Sequence, residues 1–200
     1  MQKSQSWCKA GGFRKTRFVH HNVLHIIVLF IITIAPLQVG SDASADISEY
    51  KHYKTTAISM VPTLLDGEFI LVNRNCYKDQ KPQRGDIIVF ECPYDSNKKM
   101  IKRVIAIGTD VIKGENKNIY LNGQMIHEPY VQHTRDETVK ELDNFGPVTV
   151  PEDALFVMGD NRDESFDSRF FGVVSLDKVE GKAVCVQWSK KSDRNGSRIH

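Results

Sequence analysis

Residues 100–107 have the sequence MIKRVIAI, in which two adjacent cations interrupt a run of apolar residues. Short runs rich in Val and Ile are typical of β-strands, and the apolar flanks indicate that this strand is buried. Burial disfavours the charged form of a lysine and can lower its pKa by about 3–5 units from its usual value of about 10.4. Lys102 is therefore a candidate general base. The alternative is that Lys102 points into solvent from an edge strand.

Five other segments share this strand character and are bounded by Gly, Pro, Asn or Asp. They are residues 69–72, 86–90, 119–121, 154–158 and 183–188. Asn122-Gly123 follows the third of them and predicts a two-residue hairpin, because that turn needs positive φ at both positions. No long amphipathic helix is evident after residue 40, so the predicted fold class is mainly β. The polar residues 132–147 are interpreted as a solvated loop.

Charge is distributed unevenly along the chain. Five basic residues and no acidic residue lie in residues 1–41, which leaves 22 basic and 25 acidic residues in the remainder. The remainder is therefore slightly acidic and has no basic stripe with interleaved aromatic residues. We accordingly expect no nucleic acid among the partners.

An apolar run follows the basic N-terminus. Residues 23–39 have few polar interruptions and are long enough for a membrane-spanning helix. Basic residues beside such a helix stay in the cytoplasm. We therefore predict a cytoplasmic N-terminus at residues 1–22, a transmembrane anchor at residues 23–39, a linker at residues 40–52 and an exported β domain at residues 53–200.

A cleavable signal peptide is the alternative interpretation of the same segment. Its densest apolar stretch has the length of a signal peptide's apolar region, about 7–15 residues. Ala43-Ser44-Ala45 also supplies a small-x-small cleavage site. The chain beyond residue 40 is exported in both cases.

Export places three cysteines in an oxidising compartment, namely Cys76, Cys92 and Cys185. Cys76 and Cys92 each follow a predicted strand, and a disulfide between them is one hypothesis. The alternative is that all three are small buried thiols.

Residues 59–64, with the sequence SMVPTL, place a serine in a turn before the strand at residues 69–72. A serine hydroxyl becomes a useful nucleophile when a neighbouring base removes its proton, and a neutral lysine is one such base. Ser59 is therefore a candidate nucleophile for Lys102. The alternative is a turn residue that only bonds to its own backbone.

Residues 159–169, with the sequence GDNRDESFDSR, concentrate charges and hydroxyl groups. Ser165, Asp167 and Arg169 alternate, so in an extended chain they project to one face. Such a face lets a hydroxyl hold the lysine amine while a carboxylate and a guanidinium brace the strand. An oxygen-rich metal loop is the alternative, but the segment lacks the glycine and final glutamate of a calcium loop. We expect no metal and no cofactor.

Four blocks together, residues 59–64, 84–90, 102–104 and 159–169, resemble the bacterial type I signal peptidases. Members of this family are membrane-anchored Ser/Lys proteases that remove signal peptides from exported proteins. The resemblance implies a protease domain of two antiparallel β-sheets and an uncleaved anchor. It places the catalytic domain on the outer side of the bacterial cytoplasmic membrane, with preproteins and the phospholipid membrane as partners. We expect a monomer.

The resemblance also assigns roles to residues. Ser59 would be the nucleophile and Lys102 the general base, with Ser165 orienting the lysine. Supporting ion pairs would come from the charged residues Asp160, Arg103, Asp167 and Arg169.

Substrates of the family carry small residues at the first and third positions before the cut, which implies shallow apolar pockets. The matching wall positions are Met60, Leu64, Val89 and Ile101. Some members carry a serine or threonine two residues before the nucleophile, whose hydroxyl helps to stabilise the oxyanion. Ala57 stands there in this chain, so the oxyanion hole would depend on backbone N–H groups, chiefly that of Ser59.

Two other functions remain open from the sequence. One is a specialised peptidase of the same family that serves conjugation or an organelle's inner membrane. The other is an exported β domain that binds ligands and is catalytically silent because of Ala57.

Overall fold

A computed structural model describes residues 49–200, apart from the side chain of Glu141. The predicted cytoplasmic N-terminus, the predicted anchor at residues 23–39, the Ala43-Ser44-Ala45 site and most of the predicted linker lie outside the described residues. Within residues 49–200, no helix has the length and apolar character needed to span a membrane.

Strands dominate the described part of the chain. In order they are β1 (Tyr50–Lys54), β2 (Phe69–Asn73), β3 (Ile87–Cys92), β4 (Asp95–Ile107), β5 (Val111–Glu115), β6 (Asn118–Leu121), β7 (Gln124–Met125), β8 (Phe145–Thr149), β9 (Ala154–Met158), β10 (Val174–Ser175) and β11 (Val179–Trp188). The two α-helices of this part are short, α1 (Lys140–Asp143) and α2 (Ser168–Phe171).

The strands form two antiparallel sheets. The first has the order β1-β2-β11-β3-β4-β9-β10 and the second has the order β7-β6-β5-β8. The predicted fold class, mainly β with two antiparallel sheets, is thereby confirmed. All six segments predicted as strands lie in strands, except that Asp86 precedes β3 by one residue, and Asn122 and Gly123 form the predicted hairpin turn with φ of 52° and 83°.

Three sequence predictions differ from the structure. β1 begins at Tyr50 and pairs with β2, so residues 50–52, placed in the linker from sequence, belong to the first sheet. Residues 132–147 are not only a loop, because they contain α1 and the start of β8. The disulfide hypothesis is wrong, since Cys76 and Cys92 are free thiols.

Strand β4 carries both core residues and the candidate base Lys102. Its second half lies between β3 and β9, and Val104 and Ala106 are completely buried there. Side chains alternate across a strand, so Lys102 shares a face with Val104 while Arg103 points to the other face. β9 ends at Met158 opposite Arg103, which leaves that edge of β4 without a β9 partner at residues 100–102.

Candidate active site

Lys102 and Ser59 are in direct contact. The Lys102 Nζ atom donates a hydrogen bond to Ser59 Oγ at 2.7 Å, across 43 residues of sequence. Lys102 is only 4% exposed. The sequence prediction that Lys102 is buried is therefore confirmed.

Burial changes the protonation of this lysine. Desolvation lowers the pKa of Lys102 to about 8, the nearby Asp167 and Asp160 carboxylates oppose that shift, and the Arg169 guanidinium adds to it. A lysine with this pKa is about one tenth neutral at pH 7, whereas a lysine at about 10.4 is almost entirely protonated. The amine beside Ser59 can therefore accept a proton under ordinary conditions.

A tight turn presents Ser59 to the lysine. Val61 N–H donates to Ile58 O at 3.1 Å, and Leu64 N–H donates to Met60 O at 2.8 Å. Met60 and Leu64 are buried, so the turn is anchored in the core on either side of Pro62. Ser59 itself is half-buried at the top of this turn.

A buried ion pair between Arg103 and Asp160 stabilises the turn that carries Ser59. Arg103 Nε donates to Asp160 Oδ1 at 2.9 Å, and Arg103 Nη2 donates to Asp160 Oδ2 at 2.8 Å. Thr63, which belongs to the nucleophile turn, donates its hydroxyl hydrogen to the same carboxylate. The pair therefore connects β4, the end of β9 and the turn that holds Ser59.

A second buried ion pair lies in the segment after Ser165. Arg169 donates to both Asp167 oxygens, from Nε at 2.8 Å and from Nη2 at 2.9 Å. The segment is not extended, because residues 162–164 form a 3₁₀ turn and Asp167 caps α2 by accepting the Arg169 N–H. Asp167 also accepts the Gly159 N–H at 3.1 Å, which joins this segment to the end of β9.

Ser165 lies beside the nucleophile without contacting Lys102 through a hydrogen bond. Its Oγ atom is buried and has no hydrogen-bond partner among residues 49–200. It packs with the Ser59 backbone against Gly159, since a Cβ atom at Gly159 would lie 2.3 Å from Ser165 Oγ and 2.4 Å from Ser59 O. Glycine is therefore required at position 159.

Residues 21–188 match the family described as Signal peptidase, peptidase S26. This chain belongs to that family. The resemblance to bacterial type I signal peptidases is thereby confirmed, and the protein is a serine endopeptidase.

Two sequence relatives agree with this assignment. Signal peptidase I P of Bacillus subtilis subsp. natto is 36% identical over 137 residues, which are 66% of this chain and 73% of the relative. Signal peptidase I of Aquifex aeolicus is 33% identical over 83% of this chain and 84% of its own length. A crystal structure of a signal peptidase I from Enterococcus faecalis aligns with 52% of this chain and 97% of its own, at 33% identity and a TM-score of 0.45.

Four of the five substrate-contact positions expected in the peptidase lie in one apolar cluster. Met60, Leu64 and Val89 are buried in one apolar cluster, and the partly buried Ile101 packs against it. Ala57, two residues before the nucleophile, is exposed.

Sequence reasoning missed several residues that hold this site. Asn161 donates from its backbone N–H to Ser59 O at 3.1 Å and from Nδ2 to Ile58 O at 3.2 Å. Arg162 is buried, donates to Gly159 O at 3.2 Å and pairs with Glu128. The position of Asn161 inside the charged segment could have indicated that it belongs to the site. No residue near Glu128 in sequence indicates that Arg162 is its partner.

The aspartates of this segment pair with arginines. Asp160 is paired with Arg103, and Asp163 accepts hydrogen bonds from the Thr134 and Arg135 backbones as well as from the Arg135 side chain. Among residues 49–200, no group of three or more His, Cys, Asp or Glu side chains is placed to hold a metal ion.

Proposed function

We propose that this protein removes N-terminal signal peptides from exported preproteins with Ser59 as nucleophile and Lys102 as general base. The observation that carries the proposal is the 2.7 Å contact between Ser59 Oγ and the Nζ atom of a buried lysine. A nucleophile within hydrogen-bond reach of a base with a lowered pKa is the arrangement that covalent catalysis requires.

Acylation follows from this geometry. Neutral Lys102 takes the hydroxyl proton as Ser59 Oγ attacks the scissile carbonyl, and the carbonyl oxygen becomes an oxyanion. The backbone N–H of Ser59 stabilises that oxyanion, because it has no hydrogen-bond partner within the described part of the chain. The lysine ammonium then protonates the departing amine, and the signal peptide remains on Ser59 as an ester.

Deacylation uses the same lysine. Neutral Lys102 removes a proton from a water molecule that attacks the ester, and the released Ser59 oxygen regains the proton. Asp160 with Arg103 and Asp167 with Arg169 support the site by holding the nucleophile turn and the Ser165 segment in place. We assign the orientation of the lysine to Ser165 Oγ, which is buried and has no hydrogen-bond partner among residues 49–200.

We assign substrate selection to the apolar cluster that includes Met60 and Leu64 of the nucleophile turn. The family resemblance assigns Met60, Leu64, Val89 and Ile101 to the walls of pockets for the small side chains of an Ala-x-Ala sequence, and these four residues pack in one cluster. Beyond Met158 the edge of β4 at residues 100–102 lacks a β9 partner, so an extended peptide can pair with it as an added strand.

The proposal includes the location of the protein. Residues 23–39 anchor the chain, residues 1–22 stay in the cytoplasm, and the exported β domain acts on the outer side of the bacterial cytoplasmic membrane. The basic N-terminal flank and the apolar run support this topology. The full chain acts as a monomer on preproteins at the phospholipid surface.

The direct test is cleavage of a preprotein with an Ala-x-Ala site by the detergent-solubilised full chain, followed by sequencing of the product's new N-terminus. Cleavage after the second alanine would support the proposal. A folded protein that leaves the preprotein intact would contradict it.

The rate should depend on pH through Lys102. Because the pKa of Lys102 is about 8, kcat/KM should rise about tenfold per pH unit at acidic pH and level off above about pH 8. Initial rates between about pH 5.5 and pH 9.5 would show this, with the fold monitored by circular dichroism at each pH. A midpoint near 6.5 would instead indicate a histidine base, and one near 10 an unperturbed lysine.

Gly159→Ala should lower kcat by about 100-fold, because the added methyl group displaces Ser165 and the Ser59 backbone. Gly123→Ala is the matched control. It places the same methyl group in open space at a φ of 83°, so it should cost stability but leave kcat within about twofold. Equal kcat for the Gly159 variant and the wild type would show that this packing does not position the nucleophile.

A further inference from the structure

The peptide bond between Ile58 and Ser59 carries the N–H group assigned to the oxyanion. A trans peptide is planar, so its C=O and N–H groups point in opposite directions. Any group that holds Ile58 O therefore also sets the direction of the Ser59 N–H. Two donors hold Ile58 O, namely Val61 N–H at 3.1 Å and Asn161 Nδ2 at 3.2 Å.

Asn161 contacts the peptides on both sides of the Ser59 Cα atom. Its side chain reaches Ile58 O, and its backbone N–H donates to Ser59 O at 3.1 Å. Asn161 is almost completely buried, and its own backbone is fixed where Glu164 N–H donates to Asn161 O. The residue is therefore a rigid support on which the nucleophile's backbone rests.

Among residues 49–200, the side-chain amide of Asn161 makes a hydrogen bond through its donor only. Its Nδ2 group donates to Ile58 O, while its Oδ1 atom is buried and has no hydrogen-bond partner among residues 49–200. The reversed amide would place Oδ1 against Ile58 O, where two acceptors would meet. A buried polar atom without a partner is rare in proteins. The side chain thus serves this position through its donor.

We propose that Asn161 is a positioning residue that aims the Ser59 N–H at the oxyanion of the reacting substrate. The inference rests on the proposed function of Ser59. Ala57 has a methyl side chain and cannot supply a hydroxyl donor, so the oxyanion depends on the direction of this backbone N–H. Asn161 acts through Ser59 and does not itself touch the substrate.

Asn161→Ala should lower kcat by about 10- to 100-fold and leave KM within about twofold. A misdirected oxyanion donor weakens transition-state stabilisation but not ground-state binding. The midpoint of the pH profile should stay near 8, because the environment of Lys102 is unchanged. The assay is preprotein cleavage by the detergent-solubilised full chain, with kcat and KM measured separately.

Two further variants separate positioning from packing. Asn161→Asp keeps the volume of the side chain but replaces the donor with an acceptor, so its kcat should fall at least as far as that of Asn161→Ala. Asn122→Ala removes another hydrogen-bonded amide, which donates to Asp110 at 2.9 Å in the second sheet. It should lower the melting temperature and leave kcat unchanged.

The outcomes distinguish this inference from the proposed function. A wild-type protein that cleaves no preprotein would overturn both. Wild-type cleavage together with Asn161 variants that keep kcat within about threefold, or that lose rate through KM alone, would overturn this inference and leave the Ser59 and Lys102 assignment intact.

Discussion

Ser59→Ala and Lys102→Met are each expected to lower kcat for preprotein cleavage by at least about 10⁴-fold. The nucleophile and its base act as a unit, so removal of either member costs nearly as much as removal of both. The double variant should therefore be no slower than the single variants. The measurement is single-turnover cleavage of a preprotein in detergent, followed until the residual rate is resolved.

Lys98→Met is the matched control, because Lys98 lies on the same strand but is exposed and pairs only with Asp95 at 3.0 Å. Its activity should stay within about twofold of the wild type. If Lys102→Met kept more than about one hundredth of the wild-type rate, Lys102 would not be the base.

Lys102→Met should also stabilise the fold. A measured increase in stability would show that the variant is inactive for a reason other than misfolding. Burial lowers the pKa of Lys102 in the folded state, so between about pH 8 and pH 10.4 the unfolded chain holds a proton that the folded chain has released. The stability that a neutral Lys102 allows is fully present above its unfolded pKa and is lost as the pH falls towards 8. At neutral pH the apolar variant should raise the free energy of unfolding by about 1–3 kcal/mol.

Arg103→Met is expected to lower the free energy of unfolding by about 3–5 kcal/mol, because it leaves the Asp160 carboxylate buried without its partner. Both side chains are at most 2% exposed. Arg103 also donates to Gly85 O at 2.9 Å and to His200 O at 2.8 Å, and these carbonyls lose that donor as well. Urea denaturation of the full chain in detergent, followed by tryptophan fluorescence, measures the change.

A second variant tests whether the buried, unpaired Asp160 charge causes this loss of stability. Asp160→Asn removes the unpaired charge, so the double variant with Arg103→Met should be more stable than Arg103→Met alone. The exposed pair of Lys98 and Asp95 provides the comparison, since solvent screens it and its removal should leave the free energy of unfolding nearly unchanged. A double variant no more stable than the single one would show that the carbonyl contacts, not the buried charge, dominate.

Most of the strands that the sequence did not predict lie at the edges of their sheets, and β5 is the exception. Six apolar runs with clear boundaries were predicted correctly, whereas β1, β5, β8 and β10 were missed. β1, β8 and β10 lie at the edges of their sheets. An edge strand buries fewer side chains, so its residues carry less of the apolar pattern that identifies a strand. β1, with the sequence YKHYK, is the clearest example.

The candidate site also has features that the local sequence predicts and features that it does not. Burial of Lys102 and the turn at Ser59 were predictable, because each depends on a few neighbouring residues. The supporting role of Gly159 and the buried pair of Arg162 with Glu128 were not predictable from local pattern. The carboxylate of Glu128 lies 34 residues from its arginine in sequence.

The amino-acid sequence by itself determined the mainly β class, the hairpin at Asn122-Gly123 and a buried lysine in a strand, since local apolar pattern and turn chemistry specify these. Only the tertiary structure decided that Lys102 Nζ lies 2.7 Å from Ser59 Oγ and that Asn161 holds Ile58 O across 103 residues. The physical reason is that such contacts depend on the order and register of strands, which arise when distant segments pack together and which no short segment encodes.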